Sequence, residues 1–569
     1  MPPAPWLEGY NEDHCGKAGR EAPDRFLPVD DLRPTRGQQV ARRPRTPWEG
    51  AGSCSARAIH VAAGLVWALS ALTCGTATPP APSSGPAAIV IGVPQSRQLD
   101  PSRGVSALAN SLAFERLTGN DASGRTSPRL VDSWTETDNG LTWRLVLKTQ
   151  LRHQDGTPLT AADVKRHLDE EREVPAGQTF SVCVPDIRDV SVAGDREVVI
   201  RLNRRCAFLL DDLDMTITRP AVEHRPPVGT GPFVITSSTK DEIVLAANPY
   251  YYLGTPAIGK VVVKAYDTLR TAWADMMRGR VDFLWDVGPD TAEFLRDQSS
   301  VQVRSYLSYY AYTIIMNSAR PIFRDPVVRR ALNIGVDRAE LLRQGLRGQG
   351  LTGDDTVWPS FWARDGSVPA WRYDPAEAAG LLDTARRNGG LPTSGLKAGA
   401  PIVEFTCLLP ANFTMYERLA LLVQRQLRLV NVEMRIEALP TDVYNRRIVA
   451  GDFDAVLTNL VGGPYRTIHY RFWHSPGISK RLNYWGYQDA AVDRALEQMR
   501  DAPDDNGTRT AMRALSLAFR QNPPAIVLAW GDTVQAVSRR FELPDGAAGR
   551  DALHSLSRWR IRNPGGPLP

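Results

Sequence analysis

Gly348, Gly350 and Gly353 have the spacing of a turn that lays a dinucleotide pyrophosphate on a helix N-terminus, but they follow a helical pattern rather than a strand and open no helix. A surface loop is expected there. Ser394 and Lys397 stand as the nucleophile and lysine of penicillin-binding enzymes do, yet no Ser-Asp-Asn or Lys-Thr-Gly partner accompanies them. No His-Glu-x-x-His occurs among the scattered histidines, so a zinc-hydrolase reading fails as well. His153 lies in a turn and is read as structural. His469 and His474 flank a glycine-containing loop, where imidazole could assist a metal chelate or an anion. No nucleophile–base pair, resident metal or cofactor emerges, and the chain is not expected to be an enzyme.

Cysteine chemistry points elsewhere. Cys183 and Cys206 bracket a hairpin pattern, 190–192, a turn at Gly194-Asp195, and 198–202. Their midpoint falls between Gly194 and Asp195, so an unslipped antiparallel register would oppose them at disulfide distance. Two separate buried thiols are the alternative. Cys407 lies in a strand-like run, 403–409, and reads as a small core residue.

The elements that must position any site form a long chain. At 569 residues it exceeds one packed core, and ~150 residues per domain allows three or four domains. Lys+Arg 68 against Asp+Glu 63 leaves a net charge of +5, with no block of like charge to follow a phosphate backbone, so nucleic acid is not an expected partner. Hydrophobic content of 43% with 23% charged residues argues against disorder, collagen and multi-span membrane classes.

The apolar stretch 61–72 is shorter than the ~20 residues of a spanning helix. With Arg57, Arg42, Arg43 and Arg45 before it and Ala71-Leu72-Thr73-Cys74-Gly75 after it, it resembles a secretory signal ending in a bacterial lipobox. Thr73 and Ala71 depart from the commonest box residues, and a plain cleaved signal is the alternative. Residues 1–39 are expected to be a non-translated or disordered leader, 40–73 the signal peptide, and 74–85 the lipidated Cys74 and a Pro/Ala/Ser-rich linker. A native peptide from 1–39 would refute the first of these.

Beyond residue 87, strand and helix patterns alternate without repeats. A strand is expected over 89–93, a helix over 105–117, and a hairpin over 130–147 turning at Asp138-Asn139-Gly140. Thr160 with Asp163 reads as a helix cap, and Asp325-Pro326 and Asp374-Pro375 as helix starts. An aromatic strand, 306–316, and strands near 432–437 and 453–459 follow.

In this order the segments resemble the extracellular solute-binding proteins, family 5, the peptide- and nickel-binding subunits of ABC importers. The resemblance is carried by Leu99-Asp100-Pro101; 130–134; 139–147; 153–164 (HQDGTPLTAADV); 228–233; 248–251; 279–283; Asn317; 325–332 with Val336-Asp337-Arg338; 373–382; and 451–454. It spans about 89–527 and implies an α/β, two-lobed periplasmic-binding-protein-like (class II) fold with a discontinuous lobe I and an extra α+β domain. Carried over, lobe I takes 86–117, 220–305 and, with the tail, 526–569; the extra domain takes 118–219 and lobe II 306–525. The implied job is to capture a small solute or peptide between the lobes and present the closed state to membrane permease subunits. The resemblance implies an extracytoplasmic monomer, lipid-anchored to the outer face of the cytoplasmic membrane. A non-transporting sensor or chaperone-like lipoprotein of the same fold is the alternative, favoured if no permease and ATPase genes adjoin.

Peptide-binding members hold the ligand's amino group with an aspartate in the loop after the 451–454 strand. Here that loop runs from Asn459 through Gly462, Gly463, Pro464 and Tyr465 to Arg466, and the carboxylate position falls on Gly463. The resemblance therefore implies Asn459, Gly463, Tyr465 and Arg466 as ligand-binding residues, joined by Trp285, Tyr309 and Tyr310, whose rings would stack on ligand. With Arg466 as the nearest charge, N-blocked or modified peptides, sugars, opine-like conjugates or anionic ligands are expected over ordinary free peptides.

Overall fold

The run Ala-Ile-Val-Leu-Ala-Trp at 525–530 is apolar at every position, as a strand covered on both faces must be. It begins the buried middle strand of the main sheet. The computed structural model describes residues 87–94, 104–175, 181–219, 227–296, 298–391, 400–411, 413–475, 482–544 and 551–562. The expected leader, signal peptide, Cys74, the linker and the Ser394/Lys397 pair lie outside the described residues.

In chain order the strands are β1 (Ala88–Pro94), β2 (Thr118–Asn120), β3 (Thr126–Pro128), β4 (Val131–Thr137), β5 (Thr142–Leu147), β6 (Ile187–Ala193), β7 (Glu197–Leu202), β8 (Phe233–Ser238), β9 (Glu242–Ala247), β10 (Lys260–Tyr266), β11 (Phe283–Leu284), β12 (Val301–Met316), β13 (Gly350–Thr352), β14 (Val403–Pro410), β15 (Val432–Leu439), β16 (Ala455–Val461) and β17 (Ala525–Ser538). The main sheet runs β15-β14-β16-β12-β17-β11-β1-β10-β9-β8, with β13 also on β17; β4-β5-β7-β6 form a separate sheet. Pairing is parallel around β14 and again around β1. Between these patches, long antiparallel β12 and β17 join the halves. This is a two-lobed α/β fold with an additional α+β sheet.

Alternation in β1 shows why helices cover both sides. Ile89, Ile91 and Val93 pack with Leu108 and Leu112 of the helix Val105–Ala113, whereas Val90 packs toward Ala272 and Met276 of the helix Leu269–Met277. Burying each large aliphatic side chain contributes ~1.5–3 kcal/mol. The caps form as their sequences require: Thr160 and Asp163 make a capping box, and Asp325 and Asp374 accept first-turn N–H groups at 2.8 and 2.9 Å.

Two local expectations are corrected. The first helix stops at Ala113, because Phe114 turns extended and Glu115 and Leu117 instead bond the backbone of Ile217 and Met215. The glycine stretch 348–353 is not simply a surface loop: Gly350–Thr352 pairs with β17 opposite Gly531, Trp530 and Ala529. Short β11 leaves that edge of β17 open, and β13 satisfies it.

Cys183 and Cys206 are joined by a disulfide with Cα atoms 5.7 Å apart. The register Ile187↔Leu202, continued outward, brings them opposite each other. Cys407 is a buried free thiol whose pKa burial pushes up to about 12.

Candidate functional site

Between Leu307 and Ala311 the pairing of β12 with β17 loses register. The released backbone is satisfied locally. The Tyr310 N–H donates to Ser308 Oγ at 3.1 Å, and the Tyr309 carbonyl accepts from Gly462 at 3.0 Å. Ser308, Tyr309 and Tyr310 thereby line a cavity of about 290 Å³, at the small end of ligand sites, which run to roughly 300–1,000 Å³.

The other walls come from distant parts of the chain. The extended segment after the first helix supplies Glu115 and Arg116, the β2–β3 region Asn120 and Arg129, the end of β11 Trp285, and the segment after β16 Tyr465. Asp551 and His554 complete one side. Trp285 Nε1 donates to Asp551 at 2.8 Å, and buried Gln535 donates to the same carboxylate at 2.7 Å. Arg116 pairs with Asp214 at 2.5 Å, and the Tyr465 hydroxyl also donates to Asp214. Tyr251 donates to Glu115 at 2.8 Å. Burial first, then the adjacent carboxylates, hold the Tyr251 and Tyr465 phenols well above their ordinary range, so both remain donors.

Of the residues expected from sequence, Trp285, Tyr309, Tyr310 and Tyr465 line this cavity. Asn459, Gly463 and Arg466 are not among its lining residues. Asn459 sits in β16 opposite Tyr312, with its Oδ1 buried and without a hydrogen-bond partner among the described residues. A Cβ on Gly463 would lie 2.4 Å from Trp358 Cβ, so the ring that packs edge-on against Tyr309 excludes any side chain there. Arg466 is held by both oxygens of Asp211 at 3.0 Å, and its backbone N–H donates to the same carboxylate. Its guanidinium is committed to the protein.

His469 and His474 are buried rather than solvent-facing, and neither lines the cavity. Burial lowers the His469 pKa to about 4, while His474 pairs with Glu497 at 2.9 Å. No group of three His, Cys, Asp or Glu poised for a metal occurs among the described residues.

Next to Asp211, Asp212 accepts the Val182 and Cys183 N–H groups at 2.7 and 2.6 Å and pairs with Arg471 at 3.2 Å. Burial prevails over these partners, pushing the Asp212 carboxyl up to about 6, and burial lowers Arg471 against the pull of Asp212. The folded chain therefore holds this proton more tightly than the unfolded chain. The carboxyl's contribution is complete below pH 3.8 and lost as the pH rises to about 6. Asp212→Asn is expected to flatten that part of a stability–pH profile measured by urea unfolding; an unchanged slope would contradict this.

The sequence reading missed Glu115, Arg116, Arg129 and Asp551. A usable signal existed for the first two: charged neighbours set between buried Leu112, Ala113 and Leu117 need a polar space to face.

An aromatic cavity with a few convergent charges thus lies beside the long strands that join the two halves of the main sheet. The model of the bacterial extracellular solute-binding proteins, family 5 Middle, matches residues 125–523, and the chain belongs to that family. Oligopeptide-binding protein AppA of Bacillus subtilis (strain 168) is 23% identical over 479 residues, covering 79% of this chain and 86% of AppA. Protein XP55 of Streptomyces lividans is 27% identical over 525 residues, covering 88% and 94%. The crystal structure of NikZ from Campylobacter jejuni in complex with Ni(L-His) matches with a TM-score of 0.72 at 21% identity, over 83% of this chain and 99% of NikZ. That likeness speaks for the fold. Members of the family are extracytoplasmic substrate-binding proteins of transporters, not enzymes.

Proposed function

We propose that this chain is a lipoprotein, anchored through Cys74, that closes its lobes on a peptide or peptide-like small solute and delivers it to an ABC importer. Lobe I is assigned to 86–117, 220–305 and 526–569, the extra domain to 118–219 and lobe II to 306–525. The observation that carries this reading is the small cavity walled by tyrosines, Trp285 and paired charges from segments far apart in sequence. Aromatic rings offer stacking area, and the hydroxyls and carboxylates orient a polar guest. A peptide-binding relative supports the solute class. The test is mass spectrometry of what copurifies, followed by a thermal-shift panel, since a true solute raises stability by RT ln(1 + [L]/Kd). No shift with peptides, sugars or metal chelates would contradict capture. Release of Cys74→Ser into the medium is expected from the anchor, and an unchanged membrane fraction would contradict it.

A further inference from the structure

We propose that Glu115 and Arg129 are the specificity-determining charges of the cavity, selecting a zwitterion whose ammonium meets Glu115 and whose carboxylate meets Arg129. This rests on the solute-capture reading. The amino-group anchor thus comes from the segment after the first helix and not from the 459–466 loop, where Trp358 leaves no room for a side chain at Gly463.

The charges lining the cavity separate by their partners. Arg116 and Asp214 neutralise each other. Asp551 carries no cation among the described residues but already accepts from Trp285, Gln535 and the Leu553 N–H, three of about four acceptor sites on a carboxylate. Among the described residues, Glu115 accepts only the Tyr251 hydroxyl at its carboxylate, with Arg116 and Lys148 within electrostatic reach but not in ion-pair contact. Arg129 is half-buried and makes no hydrogen bond or ion pair among the described residues. His554 and the lining tyrosines are the other titratable groups of the cavity.

A half-buried guanidinium without a partner is free to take an incoming anion, and its planar fork matches a carboxylate. Gly119 gives it space: a Cβ there would lie 2.9 Å from Arg129 Nε. Both proposed charges act on Tyr252. Burial raises its phenol, Glu115 raises it further and Arg129 draws it back, to about 12. Glu115 and Arg129 both line the same small cavity, so one guest can meet both poles. An anion alone would meet the carboxylates Glu115 and Asp551, which make no ion-pair contact among the described residues, and a cation alone would leave Arg129 unpaired.

The test offers di- and tripeptides unmodified, N-acetylated or C-amidated, with a neutral sugar mixture as a further arm, and reads retained species by mass spectrometry after gel filtration. Wild-type protein is expected to retain unmodified peptides at least about tenfold more than either blocked form. Arg129→Gln should lose the preference over amides while keeping that over acetylated peptides, and Glu115→Gln should do the reverse. Should Arg129→Gln not fold, Arg129→Lys, which keeps the charge without the fork, should still weaken the preference over amides. Equal retention of all peptide forms, or variants that keep both preferences, overturns the assignment. Retention from the sugar arm alone overturns it and leaves solute capture standing; retention from no arm overturns both.

Discussion

Arg466→Ala is expected to destabilise the fold by about 3–5 kcal/mol, because removing one partner strands the other's buried charge. The Arg466 and Asp211 side chains are only 13% and 4% exposed. Without the guanidinium, Asp211 keeps the Arg466 N–H and the Thr126 hydroxyl, neither of which offsets its charge. Urea unfolding checks the magnitude, and an unchanged midpoint would contradict it. Adding Asp211→Ala should return a large part of the loss, since the cost lies in an orphaned carboxylate. Arg466 is thus expected to act on stability through the junction between the helices Leu209–Asp212 and Arg466–Trp473.

Trp473→Ala is expected to cost a similar ~3–5 kcal/mol by a different route, the cavity left by a large buried ring. Trp473 is 1% exposed. It packs against Trp485, Tyr487 and Phe519 with ring centroids 5.5, 5.9 and 5.7 Å away. It anchors the C-terminal end of the helix whose N-cap, Tyr465, reaches the cavity wall. Denaturant unfolding gives the loss, and near-UV circular dichroism reports whether the aromatic cluster loosens. A loss below about 1 kcal/mol, ordinary for a surface change, would contradict this packing.

Local signals were legible where one principle governs: the caps at Thr160, Asp325 and Asp374, and the hairpin opposing Cys183 and Cys206. They are set by neighbours in sequence or by a two-residue period. The site was legible only in part. Tyr309 and Tyr310 announce themselves as aromatic residues in a strand, but which charges remain available is decided by tertiary pairing. For Arg466 beside a glycine loop, sequence left a structural ion pair and a ligand clamp equally open, and Asp211, 255 residues away, takes it. Arg129 looked unremarkable and retains no partner among the described residues. Spacing along the chain carries little information about such pairings, because they depend on which surfaces the two halves bring together.

β12 and β17 pass through the middle of the main sheet, and they fall out of step around 308–310. Tyr309 and Tyr310 stand on the stretch of β12 that is not laddered to β17, so a guest leaning on their rings touches the sheet where its two long strands are least bound to each other. In the closure proposed above, that is the place where a guest would act on both halves at once.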